Sequence, residues 1–158
     1  MTPKIRRAVV GDEPALAALN RFVHEMHLVR RPDYYKATRL PDVAAWFRER
    51  LETPPAALWI AEDDGIAVGY VVAFFHDRPA NPFRQARRWC EIDQIAVDPG
   101  WRRRGVGRSL MLAALDEARA REFPDVELSS WAFNDDAHAM FRSLGFEVRT
   151  LTFERGGP

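Results

Sequence analysis

Two carboxylates, Glu91 and Asp93, stand two residues apart in CEIDQIAV, a stretch whose apolar and β-branched members suit a strand. Alternation along a strand would put both on one face, the same face as Ile95 and Val97. Either carboxylate can accept a proton from a nucleophile held beside it. The plainer alternative is that one or both pair with arginine on a polar sheet face. Asp98-Pro99-Gly100 then breaks the strand with turn chemistry, and Arg102-Arg103-Arg104-Gly105-Val106-Gly107-Arg108 follows. Beyond it, Ser109 to Leu115 carries helical spacing. A strand, a basic glycine loop and a helix start, in that order, make an anion site. The first-turn N–H groups of a helix lack intrahelical partners and carry the positive end of its dipole. Glycine at 105 and 107 allows a ligand close to the backbone.

The type of anion can be narrowed. No lysine and Ser/Thr pair follows the glycines, which excludes a P-loop. A dinucleotide fingerprint would need a third glycine where Leu110 stands. The 158 residues carry 23 Lys+Arg and 23 Asp+Glu, so net charge is zero and global electrostatics do not support nucleic-acid binding. A hydrophobic fraction of 47% describes an ordered globular chain and argues against disorder. Cys90 stands alone, which excludes an intrachain disulfide and suits a reducing, cytoplasmic setting. No apolar run reaches membrane-spanning length, and residues 1–10 lack a signal-peptide pattern.

The elements that must position these groups can be read in order. Lys4 to Val10 suits a first strand. Gly11 and Asp12, the latter a candidate N-cap, precede an amphipathic helix carrying Leu16, Leu19, Phe22, Val23 and Met26 up to Arg31-Pro32. His24 and His27 are neighbours on that helix; metal binding would need a further ligand that the sequence does not offer, so they read as surface or packing residues. Pro41 opens a second helix with Val43, Phe47 and Leu51 inward. Leu58–Ala61 and Ile66–Phe75 form a hairpin around Asp63-Asp64-Gly65, and residues 76–88 read as a connection to the central strand. After the central helix come a strand over 126–131, a helix from Asn134 to Leu144, a Gly145 C-cap and a last strand over 146–153.

The Arg102-x-x-Gly105-x-Gly107 run after an apolar strand resembles the Arg/Gln-x-x-Gly-x-Gly/Ala signature of the GNAT superfamily of acyl-CoA-dependent N-acetyltransferases. Asn134-x-x-Ala137-x-x-Met140-Phe141-x-x-Leu144-Gly145-Phe146 is similar to that family's second block. The resemblance covers the C-terminal half closely and the N-terminal half in element order only. It implies one α/β (α+β) domain over residues 1–158: a mixed, mostly antiparallel central sheet flanked by helices and splayed at the central strand. It further implies acetyl-CoA as co-substrate, with no metal. The pyrophosphate would lie on Arg102, Arg103, Arg104, Gly105, Val106, Gly107 and Arg108, and pantetheine on the edge formed by Ile95, Ala96 and Val97. Asn134 would contact the cofactor, Phe141 would lie near the thioester, and a backbone N–H near Ile95 to Val97 would hold the oxyanion.

The implied reaction is acetyl transfer to a primary amine by direct attack, with Asp93 favoured over Glu91 as base because it stands nearer the thioester. Many family members carry tyrosine at the position of Phe141, where its hydroxyl protonates the leaving thiolate; phenylalanine has no such proton. That departure keeps a second reading open, a non-catalytic acyl-CoA-binding or sensing module. The segment between the first two helices would overhang the acceptor, with Tyr34 and Tyr35 shaping it. A small amine or a protein N-terminus is the expected partner, a homodimer is compatible, and neither nucleic acid nor membrane is expected.

Overall fold

The computed structural model describes residues 2–156. Its elements are β1 (Lys4–Arg7), α1 (Glu13–Arg30), α2 (Leu40–Glu52), β2 (Ala56–Asp63), β3 (Ile66–Arg78), β4 (Arg87–Val97), α3 (Val106–Ala120), β5 (Asp125–Leu128) and α4 (Asp135–Ser143). A single 3₁₀ turn, Pro99–Trp101, follows β4. The five strands lie in sequence order, antiparallel from β1 to β4, with β5 parallel to β4. The parallel pair requires a crossover, and α3 supplies it.

The sheet divides two apolar layers. On one face Trp59, Val71, Phe75, Cys90 and Ile92 meet Val106, Leu110, Met111 and Ala114 of α3, with Phe141 of α4. On the other, Leu58, Ile60, Tyr70, Val72 and Ala96 meet Leu16 and Leu19 of α1 and Phe47 of α2. The buried stripe of α3 falls at 106, 110, 111, 114 and 118, the spacing of one helical face. Close packing also decides a glycine outside the signature. A Cβ on Gly69 would lie 3.0 Å from the Ala96 carbonyl and 3.1 Å from Leu110, so only glycine lets α3 sit this close to β3.

Several sequence expectations are corrected. The polar stretch at 76–88 is strand at both ends and a connection over 79–86: β3 continues to Arg78 and β4 starts at Arg87, pairing Arg78 with Arg87 and His76 with Trp89. Cross-strand pairs of long side chains hold this end of the hairpin despite its polarity. β1 and β5 are shorter than expected, ending at Arg7 and Leu128. Asp12 does not cap α1 with its side chain, because Arg6 and the Val9 N–H take the carboxylate. The expected strand over 146–153 does not form; after the Phe146 N–H bonds to the Phe141 carbonyl, no backbone hydrogen bond of residues 147–156 occurs among the described residues. A strand pattern becomes a strand only when a second edge meets it, and here none does.

Candidate active site

β4 is the strand on which the site is built. It pairs with β3 along its length but with β5 only from Trp89↔Asp125 to Ile92↔Leu128. Beyond Ile92 the two parallel strands part, and among the described residues no strand lies against the edge of β4 from 93 to 97. The Asp98 N–H bonds to the Val68 carbonyl at 2.9 Å. Hydrogen-bonded and non-bonded pairs alternate in an antiparallel ladder, so Ala96 and Gln94 are turned toward β3 while Val97 and Ile95 direct N–H and C=O outward. The Val97 carbonyl accordingly receives Arg102 Nε, at 3.4 Å. The open edge therefore offers the Ile95 N–H and C=O and the Val97 N–H to an extended ligand.

A bulge gives the site its second feature. Val72 pairs with Gln94 and Ala73 with Ile92, leaving Asp93 as the extra residue. The bulge reverses the alternation. Cys90 and Ile92 face the α3 layer before it, and Ile95 and Val97 face that layer after it. Glu91 stands opposite Phe74, which packs in the α1/α2 layer, and Asp93 shares that face with Tyr70 and Arg50. The expectation that both carboxylates share a face with Ile95 and Val97 is thus overturned. The carboxylates look toward α1 and α2, and the two apolar side chains look toward α3.

The electrostatics separate the two acids. Asp93 reaches solvent, yet the protein around it withdraws enough water to raise its pKa above the ordinary carboxylate value; the charge of Glu91 pushes the same way and Arg50 partly opposes. Glu91 is engaged, its Oε2 lying 2.9 Å from His76 Nε2, and His76 stacks on Trp89 with centroids 4.7 Å apart.

The loop behaves as its composition suggests. Gly105 has φ +80° at the cap of α3 and nothing within 4 Å of a would-be Cβ, so backbone conformation alone demands glycine there. No side chain caps α3, and its first helical bond is Ser109 N–H to Gly105 C=O. The N–H groups of Val106, Gly107 and Arg108 are left without intrahelical partners. Gly107 serves packing as well, since a Cβ would lie 3.1 Å from Met140 Sδ. Arg103 approaches Asp136 at 3.6 Å with both side chains exposed, an attraction that solvent largely screens. Arg104 lies over Trp101 and Arg108 reaches Ser143; among the described residues, Arg102, Arg104 and Arg108 have no carboxylate within 4.0 Å. Asn134 precedes α4 without a capping bond. Phe141 is 8% exposed and packs edge-on to Phe146, so its ring belongs to the core and offers little surface to a thioester.

Three residues escaped the sequence reading. Asn20 donates to the Tyr70 hydroxyl at 2.9 Å and to Gln94 Oε1 at 3.2 Å, and Tyr70 donates to the same oxygen at 2.9 Å. This network joins α1, β3 and the residue after the bulge. Its only sequence signal is polar side chains at strand and helix positions that should be apolar. Tyr70 is fully buried, which raises its pKa. Tyr70→Phe should lower stability by about 1 kcal/mol, a fall in melting midpoint of about 2–4 °C by calorimetry; an unchanged midpoint would mean the hydroxyl contributes nothing net.

An aromatic cluster lies between the segment after α1 and residues 131–133. Trp131 Nε1–H donates to the Tyr35 hydroxyl at 2.7 Å, Tyr34 meets Trp131 edge-on, and Arg31 lies 4.6 Å over the indole. His27 stacks on Tyr35 and His24 Nε2 meets the Lys36 carbonyl at 2.7 Å, so both histidines are engaged in packing and turn contacts. Burial lowers the pKa of His27, with the nearby His24 acting the same way. No cluster of three metal-ligating side chains occurs among the described residues.

The sheet thus splays beside a bulged central strand, and the start of α3, with Gly105 at its cap position and no side-chain cap, stands at the mouth of the gap. The sequence model of the Acetyltransferase (GNAT) family matches residues 21–146, and the chain belongs to that family. Mycothiol acetyltransferase of Saccharomonospora viridis is 33% identical over 148 residues, 92% of this chain. The chain spans about half the length of that relative, 46%. Among solved structures, a tetramutant of the BH1408 protein of Bacillus halodurans matches with TM-score 0.92 and 26% identity over 97% of this chain and 99% of that one. Aminoglycoside N-acetyltransferase AAC(6')-Iy, solved in complex with CoA, shares the fold at TM-score 0.78 and 20% identity over 99% of this chain and 96% of that one.

Proposed function

We propose that residues 1–158 act as one N-acetyltransferase domain that moves an acetyl group from acetyl-CoA to a primary amine. The observation that carries this reading is the juxtaposition at β4. An open strand edge at Ile95 and Val97 leads to the uncapped start of α3, and a carboxylate of raised pKa stands at the bulge beside that edge. Pantetheine pairs with the edge, and the pyrophosphate takes the free N–H groups and the arginines of 102–108. Asn134, with no capping bond of its own, is free to meet the cofactor.

The acceptor approaches from the α1/α2 face. An alkyl amine is largely protonated at neutral pH and must lose a proton before it attacks. Asp93 accepts that proton, directly or through water; Glu91, bonded to His76, raises the basicity of Asp93 through its charge. The amine nitrogen bonds to the thioester carbon, the outward N–H of Ile95 or Val97 steadies the oxyanion, and the carbon–sulfur bond breaks to release CoA thiolate. The nitrogen sheds its remaining extra proton, which water passes to the thiolate, since Phe141 has no proton to give. Carboxylates on the floor and tyrosine, tryptophan and phenylalanine on the wall favour a cationic amine. The aminoglycoside substrate class named for one structural neighbour supports an amine acceptor. No helix among the described residues is long and apolar enough to cross a membrane. The lone cysteine is buried, and we place the reaction in the cytoplasm.

Thiol release from acetyl-CoA, measured against small amines, aminoglycosides, polyamines and peptide N-termini, tests the reading. Amine-dependent release is expected. Tight acetyl-CoA binding with no release for any acceptor would leave the non-catalytic binding module as the function.

A further inference from the structure

Two polar side chains on the α1/α2 face are held in place yet keep donors that nothing in the chain uses. Gln94 follows the bulge, and its Oε1 accepts from Asn20 Nδ2 at 3.2 Å and from the Tyr70 hydroxyl at 2.9 Å. With both lone pairs of that oxygen taken, the amide orientation is fixed and Nε2 points away from the network. Nε2 has no acceptor among the described residues and is not buried, so its N–H groups stand open. Arg50, in the last turn of α2, is the second. Its guanidinium carbon lies 3.4 Å over the Trp46 ring, and Nη1 donates to the Trp46 carbonyl at 3.1 Å and to the exposed Glu49 at 3.4 Å. Nε is covered without a partner, and Nη2 is open without one. The charge of Arg50 is felt at Asp93, although no ion pair within 4.0 Å joins them among the described residues.

One aromatic column supports both groups. Trp46 meets Phe47 edge-on at 5.1 Å, and Phe47 meets Tyr70 edge-on at 5.3 Å, with Phe47 and Tyr70 fully buried. The Tyr70 ring thus steadies Arg50 through the column while its hydroxyl steadies Gln94. Donors fixed before a ligand arrives lose little freedom when it binds. We propose that Arg50 and Gln94 hold the carboxylate of the acceptor, so that the acceptor is a free amino acid whose amine stands at Asp93. This rests on the acetyl-transfer reading above and names its substrate class. A planar pair of oxygens matches the edge of a guanidinium and an amide N–H. One positive charge beside a neutral donor suits a monoanion, whereas a dianionic phosphate would meet the added repulsion of Glu91 and Asp93. Those same carboxylates attract the ammonium end. A polyamine or an aminoglycoside brings no group for Arg50, and a peptide N-terminus brings a neutral amide where the carboxylate belongs.

Thiol release from acetyl-CoA is measured with the common amino acids, their α-amides and the matching decarboxylated amines. At least one amino acid should exceed its amide and its amine in kcat/KM by about 10-fold or more, the contribution of a charge-assisted pair. Arg50→Gln and Gln94→Glu should each lower that acid-to-amine ratio by about 10-fold or more, mainly through KM. The second variant keeps an oxygen for Asn20 and Tyr70 and sets a charge where Nε2 stood. Damage to the fold or to the base would depress both acceptors together and leave the ratio intact, so an unchanged ratio in either variant overturns the proposal. Amides and amines used as well as the acids overturn it too, with acetyl transfer still standing. Calorimetric titration of the same compounds into the CoA-loaded protein separates the remaining case. Carboxylate-dependent binding that Arg50→Gln abolishes, without release, upholds the amino-acid pocket and removes the transferase reading. No binding and no release removes both.

Discussion

Gly105→Asp will abolish acetyl-CoA binding while leaving the protein folded. The position has open space around a new Cβ, so bulk is not the obstacle. Its φ of +80° costs a non-glycine residue about 1–2 kcal/mol, and aspartate is among the side chains that tolerate this region best. The carboxylate would stand at the unpartnered N–H groups of Val106, Gly107 and Arg108, where the diphosphate must sit. Repulsion and lost hydrogen bonds should together weaken binding at least about 100-fold, or 2.7 kcal/mol. Gly105→Asn carries the same backbone strain without the charge and should lose much less. Calorimetric titration of both variants, with melting curves alongside, decides the matter. Equal affinity for parent and aspartate variant would remove the helix start from the cofactor site.

Asp93→Asn should lower kcat by about 10²–10⁴-fold and yet make the protein more stable at neutral pH. The folded protein raises the Asp93 pKa above its unfolded value, so ionisation is disfavoured by folding. Below the unfolded carboxylate pKa both states are protonated and the group costs nothing. As pH rises through the folded pKa, the stability associated with the neutral acid is lost. Asparagine avoids that loss, so its melting point should exceed the parent's at pH 7 and converge with it near pH 4, about the unfolded value. The acid limb of the parent's pH–rate profile, set by the same raised pKa, should disappear in the variant. Glu91→Gln should reduce kcat less and shift the limb toward lower pH, because one charge that raises the Asp93 pKa is gone. A fully active Asp93→Asn would pass the base to Glu91 or to water.

Much of this site was legible in local pattern. The Arg102-x-x-Gly105-x-Gly107 loop, the strand before it and the helix after it are consecutive in the chain, so residue type and spacing describe a local geometry that folding merely completes. The order of strands, the hairpins and the crossover follow from the same short-range signals. The direction of the carboxylates was not legible. It depends on Asp93 being a bulge, and a bulge is a property of two strands in register, invisible in either one. The Asn20–Tyr70–Gln94 network unites residues far apart in sequence, and only the packing of α1 onto β3 and β4 brings them together. The packing of Phe141 edge-on to Phe146, with 8% of its surface exposed, was likewise invisible in the motif. The last strand shows the same limit from the other side. Residues 146–153 have the pattern of a strand, but hydrogen-bonding edges must be supplied by a partner, and the sequence specifies only the segment's half of that contact. The resemblance of two motifs thus pointed to the family, and residue type and spacing to the glycine loop and the candidate base, because those are written in neighbouring residues. The tertiary structure alone decided which face each acid sees and which edges stay open, because both are set by register between distant segments.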